Sequence, residues 1–338
     1  MIETAFCRSG VPVSISFVVF PFYHPKMKLF TNFEDESSFR KGIVTVGNFD
    51  GVHLGHQSMI ATLKNQAEKL GVPAVVFTFD PPPLFVLESD YIPQRLTTLE
   101  QKAALLEKYG VDVVIAYPTD RSLLDLSPSE FFEQLVLGNL EARGLVEGPN
   151  FRFGKNRQGD LDLLTQMCNE AEVGLSIVPQ FNLDDRMVSS SAIREHIRKD
   201  RFGSAIEMLG HPYRVSGKVT TGSQRGTQLG YPTANLTEIA TMIPADGVYA
   251  GLTTLSDVSF VAAVNIGSSP TFEDDARKFE LHLLDFEGDL YGETVSVDLY
   301  EKIRDVENFN SPDQLQEQLA QDVNRIRRYF QEKNLLQT

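Results

Sequence analysis

The sequence changes its pattern once, near residue 210, and this change limits the folds that the chain can adopt. From Gly42 to about Cys168, short apolar runs alternate with helical stretches, which is typical of a parallel sheet with crossover helices. After Arg194, one short helix is followed by Gly210, and the chain then becomes rich in strands and glycine. A chain of 338 residues is long enough for roughly two domains. We therefore predict an N-terminal α/β domain with a parallel sheet and a C-terminal β domain.

The first half follows a β-α-β-α-β-α order. Glycines mark the ends of its first two helices, and Ser127-Pro-Ser-Glu combines an N-cap serine, a proline at the first helical position and a capping glutamate. The predicted elements are a strand at 43–46, a helix at 53–70, a strand at 74–79, a helix at 98–109, a strand at 111–116 and a helix from 127 to about 140.

The second half contains one short helix and then several strands. Runs with strand character are typical of an antiparallel sheet or barrel. The chain then closes with a helix that begins at Ser311 and carries one apolar stripe, which we expect to pack against the barrel. The predicted elements are a helix at 202–209, strands at 215–220, 247–254, 260–266, 279–286 and 294–303, and the closing helix with its stripe of Leu315, Leu319, Val323, Ile326 and Phe330.

Composition excludes several classes of function. The formal net charge of -15 repels a phosphate backbone, so polynucleotide binding is disfavoured as a main activity. Two cysteines, Cys7 and Cys168, cannot build a disulfide framework or a Cys-based zinc site, which favours a reducing compartment and by default the cytoplasm. No segment approaches the roughly 20 apolar residues that a membrane helix needs. We expect small-molecule partners, and the sequence does not predict an oligomeric state.

Residues 1–26 carry no motif. The apolar stretch from Val11 to Phe22 follows a single basic residue, Arg8, and contains two prolines, so a secretory signal is only weakly supported. We interpret residues 1–26 as an N-terminal extension, with Met27 as the start and a polar lead-in to the first strand. The remaining chain is divided at the change of pattern into domains 27–209 and 210–338.

A motif with paired histidines lies where the first strand gives way to the first helix. It places backbone N–H groups and the positive end of the helix dipole at one point, which suits an anionic phosphate. His53 and His56 are three residues apart and share a face, so their imidazoles can donate hydrogen bonds to phosphate oxygens, while Gly55 leaves room for a nucleotide. Two solvated or metal-binding histidines are the alternative. The preceding Gly47, Phe49 and Asp50 make that alternative less favoured.

The paired histidines resemble the HxGH motif of the nucleotidyltransferase superfamily. A downstream segment, Val188-Ser-Ser-Ser-Ala-Ile-Arg194, resembles the (I/V)SSTxIR segment of that superfamily. The segment from Gly148 to Asp160 is similar to the GxDFxFGxxxxGD signature of bacterial bifunctional riboflavin kinase/FAD synthetases. Taken alone, the serines are equally well explained as a helix N-cap and the glycines as a loop.

The segment from Gly222 to Asn235 reads G-S-Q-R-G-T-Q-L-G-Y-P-T-A-N. Its glycines permit close backbone approach, and Arg225 can offset phosphate charge. Mg²⁺ prefers oxygen ligands, and the Thr233 hydroxyl and Asn235 carbonyl, two residues apart on an extended segment, can supply two on one face. A β-turn loop is the alternative. The string as a whole resembles the riboflavin kinase signature G-x-x-R-G-x-x-L-G-(F/Y)-P-T-A-N.

The resemblance to the bifunctional family covers about residues 27–330 and implies the fold and the activities. The N-terminal domain would be a Rossmann-like nucleotidyltransferase domain that transfers AMP from ATP to FMN, giving FAD and pyrophosphate. The C-terminal domain would be an antiparallel β-barrel riboflavin kinase domain with a closing helix, which phosphorylates riboflavin from ATP with Mg²⁺ and uses Glu280 as the general base.

The resemblance also implies a set of binding residues at each site. In the adenylyltransferase half, Asn150 would contact flavin or nucleotide, and Ser190 with Arg194 would clamp phosphates. The nucleotide- and flavin-binding residues expected there are Gly47, Phe49, Asp50, Gly55, Asn150, Ser190, Ser191 and Arg194. Those expected in the kinase half are Gly222, Arg225, Gly226, Gly230, Thr233 and Asn235.

Three positions depart from the family pattern. Pro82 stands where FxPHP usually has histidine, which removes one hydrogen-bond donor near the adenylylation site. Ser269 replaces a basic residue and Val306 a glutamate in the kinase half. Two alternatives remain at this point: a riboflavin kinase with a weak or inactive adenylyltransferase half, which Pro82 motivates, and, from a different class, a flavin-binding module without turnover.

Overall fold

A parallel sheet and a closed barrel make up the part of the chain that the structure describes. A computed structural model describes residues 27–33, 38–87, 93–220, 230–269 and 274–335. The N-terminal sheet has six strands, and the C-terminal barrel also has six. Both predicted fold classes are confirmed. No helix of the described ranges is long and apolar enough to cross a membrane.

The six strands of the N-terminal sheet all pair in parallel. They are β1 (Lys28–Phe30), β2 (Ile43–Val46), β3 (Ala74–Phe79), β4 (Val113–Tyr117), β5 (Gly144–Glu147) and β6 (Gly174–Ile177). Their order in the sheet is β1-β4-β3-β2-β5-β6. Because β2 lies between β3 and β5, the loops that leave the carboxyl ends of these three strands meet at one edge of the sheet.

Nine α-helices of the described ranges accompany the two sheets, and four of them, α1, α3, α8 and α9, closely match the sequence pattern. Helix α1 ends at Gly71, whose φ of 64° is in the left-handed region that glycine adopts without strain. A capping box between Thr98 and Gln101 begins α3. The helices are α1 (Leu54–Leu70), α2 (Pro83–Val86), α3 (Leu99–Lys108), α4 (Arg121–Leu124), α5 (Pro128–Phe131), α6 (Leu161–Glu170), α7 (Ser190–Arg198), α8 (Phe202–Leu209) and α9 (Pro312–Glu332).

The helix predicted from Ser127 changes type along its length. The capping box at Ser127 and Glu130 is present, as the sequence indicates. From Phe132 to Asn139, however, the backbone is a π-helix, in which Leu140 N donates to Leu135 O, five residues earlier. Apolar spacing cannot separate the two helix types over so few turns, so the sequence pattern missed the change.

Four short strands in the two sheets were missed by the sequence pattern. Residues Lys28–Phe30, interpreted as a polar lead-in, form β1 and pair with β4. Strands β1 and β6 lie at the sheet edges and are partly exposed, so neither contains a continuous apolar run. Strand β5 is fully buried but has only four residues, two of which are glycine and glutamate. The fourth, in the barrel, is Ala234–Thr237.

The barrel contains all five predicted strands and this additional one. Its strands are β9 (Tyr213–Thr220), β10 (Ala234–Thr237), β11 (Gly247–Leu255), β12 (Val258–Ser269), β13 (Asp274–Leu283) and β14 (Thr294–Arg304). They pair antiparallel in the closed order β10-β13-β12-β11-β14-β9. A two-stranded antiparallel ribbon, β7 (Asn182–Leu183) with β8 (Arg186–Met187), precedes α7.

Helices α7 and α8 join the two units through a shared apolar core. Ile193, Ile197 and Phe202 from these helices lie in one buried cluster with barrel residues such as Tyr213 and Tyr249. The Gln101 Nε2 of α3 donates to the Ser216 hydroxyl of β9 at 3.0 Å. The barrel therefore packs directly on the N-terminal unit, and the boundary at residues 209 and 210 stays a prediction.

The closing helix α9 packs on the outside of the barrel. Ile326 and Phe330 are fully buried and contact a cluster that includes Val248 and Ala250 of β11. The guanidinium of Arg304 donates to the buried carboxylate of Asp322 on α9 at 2.7–3.0 Å. The predicted packing against the barrel is confirmed for Val323, Ile326 and Phe330 of the apolar stripe.

We expect Phe330→Ala to lower the free energy of unfolding by about 3–5 kcal/mol, because it empties a fully buried aromatic site. Urea-induced loss of circular dichroism measures this change. Gln331→Ala, next to it on α9 and exposed, is the matched control and should stay within about 0.5 kcal/mol of the parent. Equal destabilisation by the two variants would contradict the packing role.

Candidate active site

The loop between β2 and α1 is held in a tight turn at the carboxyl edge of the sheet. Phe49, Gly51 and Val52 have φ values of 47°, 81° and 37°, in the left-handed region. Gly47 N donates to Phe77 O at 3.0 Å and so extends the ladder between β2 and β3. The turn brings His53 to the N-cap of α1, where backbone N–H groups of the first helical turn are free of helical partners.

His53 and His56 are stacked in this turn. Their ring centroids are 3.7 Å apart, and the Nδ1 of His53 accepts a hydrogen bond from the backbone N of His56 at 3.4 Å. A Cβ atom at Gly55 would lie 3.2 Å from the His53 ring, so a residue with a side chain here would require the ring to shift slightly. The predicted common face of the two histidines is confirmed.

Both histidines are held in the neutral form. Burial lowers the pKa of His53 from 6.5 to about 4, although the nearby Asp50 opposes the shift. Burial and then the neighbouring His53 and Lys102 lower the pKa of His56 well below its usual value. Near pH 7 the pair therefore supplies hydrogen-bond donors and acceptors rather than positive charge. The His56 Nδ1 is buried without a hydrogen-bond partner among the described residues.

Asp50 connects this loop to two other segments. Its carboxylate accepts hydrogen bonds from the backbone N–H groups of Leu96 and Thr97 at 3.0–3.1 Å, and it forms an ion pair with Arg194 of α7. The Ser190 hydroxyl donates to the Asp50 carbonyl at 2.8 Å. The predicted residues Asp50, Ser190 and Arg194 are thus brought together.

The serines and the arginine of the segment from Val188 to Arg194 also have structural roles. Ser189 caps α7, whereas Ser191 is exposed. The Arg194 guanidinium pairs with Asp50 and donates to Gln94 O at 2.7 Å. Much of its charge is neutralised by Asp50, so its predicted role as a phosphate clamp stays a prediction.

The segment after β5 reaches the same edge of the sheet. Asn150 is exposed, three residues beyond the end of β5. Phe153 is buried, and a Cβ atom at Gly159 would lie 2.6 Å from its ring, which explains the glycine at this point of the motif. The contact of Asn150 with flavin or nucleotide stays a prediction.

A buried lysine lies beside the histidines and was missed by the sequence analysis. Lys102 is 5% exposed, and its Nζ donates to the Thr78 hydroxyl at 3.2 Å. Burial lowers its pKa from 10.5 to about 8, while Asp50 and Asp80 oppose the shift. The sequence contained a signal for this lysine, because Lys102 lies three residues after Leu99 and four before Leu106 and so shares the apolar face of α3.

The candidate kinase site lies on the barrel around Glu280. This residue of β13 is in register with Asn235 of β10 on one side and Asn265 of β12 on the other. The Asn265 Nδ2 donates to the Glu280 Oε2 at 3.3 Å. Because side chains alternate along a strand and Phe279 and Leu281 belong to the barrel core, Glu280 and its two amide neighbours point away from that core.

The loop before β10 is held against this face of the barrel. Gly230 has a φ of 86°, and Thr233 is half-buried. The His282 Nδ1 lies 2.7 Å from Pro232 O, and its ring is 5.5 Å from that of Tyr231. His282 was not predicted, although it follows Glu280 by two residues and therefore shares its face. Gly222, Arg225 and Gly226 lie outside the described residues.

Thr233 and Asn235 fit the requirements of a magnesium ion. Their hydroxyl and amide groups can supply hard oxygen ligands, and Asn235 is in register with Glu280. No cluster of three or more His, Cys, Asp or Glu side chains that suits a metal occurs in the described ranges. A magnesium ion here would therefore need substrate phosphates to complete its coordination.

The three departures from the family pattern have different surroundings. Pro82 directly precedes α2 and forms its N-cap. Val306 lies near Gly267, where an added Cβ atom would be 3.1 Å from its side chain. The side chain of Ser269 lies outside the described residues.

Comparison with known families matches both halves of the chain. The model for FAD synthetase matches residues 35–192, and the model for riboflavin kinase matches residues 209–330. Similar proteins described as bifunctional riboflavin kinase/FMN adenylyltransferase occur in Escherichia coli strain K12 and Bacillus subtilis strain 168. The first is 36% identical over 85% of this chain and 92% of its own length, and the second is 34% identical over 86% and 93%.

A solved structure covers most of the chain. A crystal structure described as a macrolide-efflux protein from Streptococcus pneumoniae superposes with a TM-score of 0.79 at 31% identity, and it covers 89% of this chain and 99% of its own. The two domain models, the extent of the curated relatives and the two clusters of polar side chains agree. This chain belongs to the bifunctional riboflavin kinase/FMN adenylyltransferase family.

Proposed function

We propose that this chain carries out two successive reactions at two separate sites, with riboflavin, FMN and ATP as small-molecule substrates. The barrel phosphorylates riboflavin to FMN, and the N-terminal unit transfers AMP from a second ATP to FMN. One observation carries the proposal: a pair of neutral histidines at a helix N-terminus and a carboxylate flanked by two amides occur in the same chain.

In the N-terminal unit, catalysis rests on position and charge stabilisation. An oxygen of the FMN phosphate attacks the α-phosphorus of ATP, and the bond from that phosphorus to the bridging oxygen breaks as pyrophosphate leaves. No proton has to move to the protein in this step. Neutral His53 and His56 can donate N–H bonds to the phosphate oxygens as negative charge shifts toward the leaving group.

In the barrel, Glu280 accepts the proton of the riboflavin 5′-hydroxyl. That oxygen then attacks the γ-phosphorus of ATP, and ADP leaves. The hydrogen bond from Asn265 fixes one carboxylate oxygen of Glu280 and leaves the other for the proton transfer. Asn235, directly opposite on β10, lies next to the same carboxylate.

Thr233 and Asn235 are the residues that would hold Mg²⁺. The ion would offset charge on the ATP phosphates when bound. The loop that contains Thr233 and leads into β10, where Asn235 lies, is held to the barrel by the contact between His282 and Pro232. The cytoplasm, predicted from the cysteine content, is the proposed location.

A kinase with a weak adenylyltransferase half remains a distinct proposal because Pro82 lacks the donor of the usual histidine. The intact histidine pair and the match to the FAD synthetase model favour two activities. A binding module without turnover is less favoured, because Glu280 stands beside the proposed magnesium ligands. Separation of flavins after incubation with riboflavin or FMN, ATP and Mg²⁺ distinguishes the three, since the module would yield neither product and the kinase would yield FMN alone.

We expect His53→Asn and His56→Ala each to lower kcat for FAD formation from FMN by about 10²–10³-fold, because each removes a hydrogen-bond donor to the phosphates. Asparagine at position 53 retains an acceptor for the helix cap. FAD production from added FMN measures the effect. Phosphorylation of riboflavin by the same protein is the control and should be unchanged; FAD formation at the parent rate would refute the assignment.

We expect Glu280→Gln to lower the rate of FMN formation from riboflavin by about 10²–10⁴-fold, because the amide cannot accept the hydroxyl proton. Chromatographic separation of riboflavin and FMN measures the rate. FAD formation from added FMN should continue in this variant. Glu287→Gln changes an exposed glutamate in the loop that follows β13 and is the matched control. A Glu280→Gln protein as active as this control would rule out the proposed base.

We expect Asn235→Ala to raise the Mg²⁺ concentration needed for half-maximal riboflavin phosphorylation by about tenfold, because one of the proposed oxygen ligands is lost. A Mg²⁺ titration at fixed ATP measures this concentration. The Mg²⁺ dependence of FAD formation from FMN in the same variant should not move. An unchanged titration of the kinase reaction would exclude Asn235 as a ligand.

A further inference from the structure

Three basic side chains lie close to the carboxyl edge of the sheet near Asp50, and two of them are paired. Arg194 is paired with Asp50. Arg95 lies 3.3 Å from Asp80. Lys102 has the Thr78 hydroxyl as its one hydrogen-bond acceptor among the described residues, and no described carboxylate lies within 4.0 Å of its Nζ.

The ammonium of Lys102 is short of partners for so buried a group. An ammonium has three N–H donors, and Thr78 satisfies one of them. The Thr78 hydroxyl in turn donates to Asn48 O at 3.3 Å, which attaches Lys102 to the loop that carries His53 and His56. A buried charge is costly unless an opposite charge compensates it, so this position calls for an anion.

The charged and titratable groups around Lys102 come from four segments. Asp50 follows β2, Asp80 follows β3, Arg95 precedes α3, and His56 lies on α1. Both aspartates attract the ammonium at longer range but are bonded to arginines. His56 is neutral and adds no charge near pH 7.

We propose that the Lys102 ammonium binds the phosphate oxygens of the ATP that donates AMP in the adenylyl transfer. This inference rests on the proposed function of the N-terminal unit and adds to it the residue that supplies positive charge. As the FMN phosphate oxygen bonds to the α-phosphorus and the bond to the bridging oxygen breaks, negative charge moves onto the departing pyrophosphate. The histidines contribute donors without charge, and Lys102 contributes the charge.

Lys102→Met removes the charge while keeping an unbranched side chain, and Lys102→Arg keeps the charge. We expect Lys102→Met to lower kcat/KM for ATP in FAD formation from FMN by roughly 10- to 100-fold, and Lys102→Arg to retain more of it. Lys108→Met, which changes an exposed lysine at the end of the same helix, is the matched control. Riboflavin phosphorylation by each variant reports whether the protein is folded.

The pH dependence of the KM for ATP tests whether the positive charge of Lys102 contributes to ATP binding. The pKa of Lys102 is about 8, so the ammonium is present below that pH and is lost above it. In the parent protein, the KM for ATP in FAD formation should rise between pH 7.5 and 9.5. Lys102→Arg should remove this rise because its guanidinium stays charged. Lys102→Met should show a high KM and no inflection across the same range.

Each outcome decides the inference. A Lys102→Met protein with the kcat/KM of the Lys108→Met control overturns it. So does a Lys102→Arg protein as defective as Lys102→Met with normal riboflavin phosphorylation, because the side chain would then be structural. If Lys102→Met does not fold, Lys102→Gln takes its place, and a Lys102→Gln protein with the kcat/KM of the Lys108→Met control overturns the inference. A parent protein that makes no FAD from FMN contradicts the proposed function instead.

Discussion

The carboxylate of Asp50 is the interaction on which the N-terminal site depends. It bonds to the backbone of Leu96 and Thr97 just before α3 and to the guanidinium of Arg194 on α7. Three segments far apart in sequence are thereby fixed around one buried group, since both side chains of the ion pair are about one-eighth exposed. Removal of either partner would leave an uncompensated charge, which costs far more than the net stabilisation from the intact pair. The pair therefore serves to fix position rather than to add stability.

Because Arg194 is paired with Asp50, its positive charge is not free to bind phosphate, and the number of positive groups at the site is smaller than the motif suggests. A motif with two histidines and an arginine suggests three positive groups around a triphosphate. In the folded protein, burial keeps both histidines neutral and Asp50 neutralises the arginine. Phosphate binding then relies on oriented N–H donors and on positive charge from other residues.

A neutral donor has the advantage that it is less attracted to ionised phosphates in the ground state, so product release is less impeded. The electrostatic character of the site thus follows from burial, which residue identity alone does not show.

The sequence predicted the fold class and the histidine pair because both depend on local patterns. The helix that ends at Gly71 and the barrel strands have clear periodicity, and three-residue spacing places two histidines on one helix turn regardless of tertiary contacts.

The features that the sequence analysis missed depend on residues far apart in the chain. Strand β1 has three residues and exists because β4 pairs with it. Lys102 is surrounded by groups from other segments, and the pairing of Arg194 with Asp50 joins residues that are 144 positions apart. Patterns in a single sequence report neighbours along the chain but not such contacts.

The two chemical sites are separate, yet the barrel helps to shape the N-terminal one. The β2–α1 loop contains Phe49 and Val52 at positive φ, a conformation that costs roughly 1–2 kcal/mol for each residue with a side chain. One contact from the far side of the boundary and two within the N-terminal unit hold this turn. His211, at the start of the barrel unit, has its Nε2 3.0 Å from Gly51 O. Gln57 Nε2 donates both to Val52 O and to Leu209 O at 2.9 and 2.8 Å. A cavity of about 150 Å³ lies beside Gly51 between α3 and the barrel, whereas Phe49 and Val52 are fully buried, so packing and these hydrogen bonds together fix the loop. A strained turn persists where its surroundings determine it fully. The barrel is thus part of the framework that holds the histidines, and an N-terminal unit without it would lose contacts that its own residues do not replace.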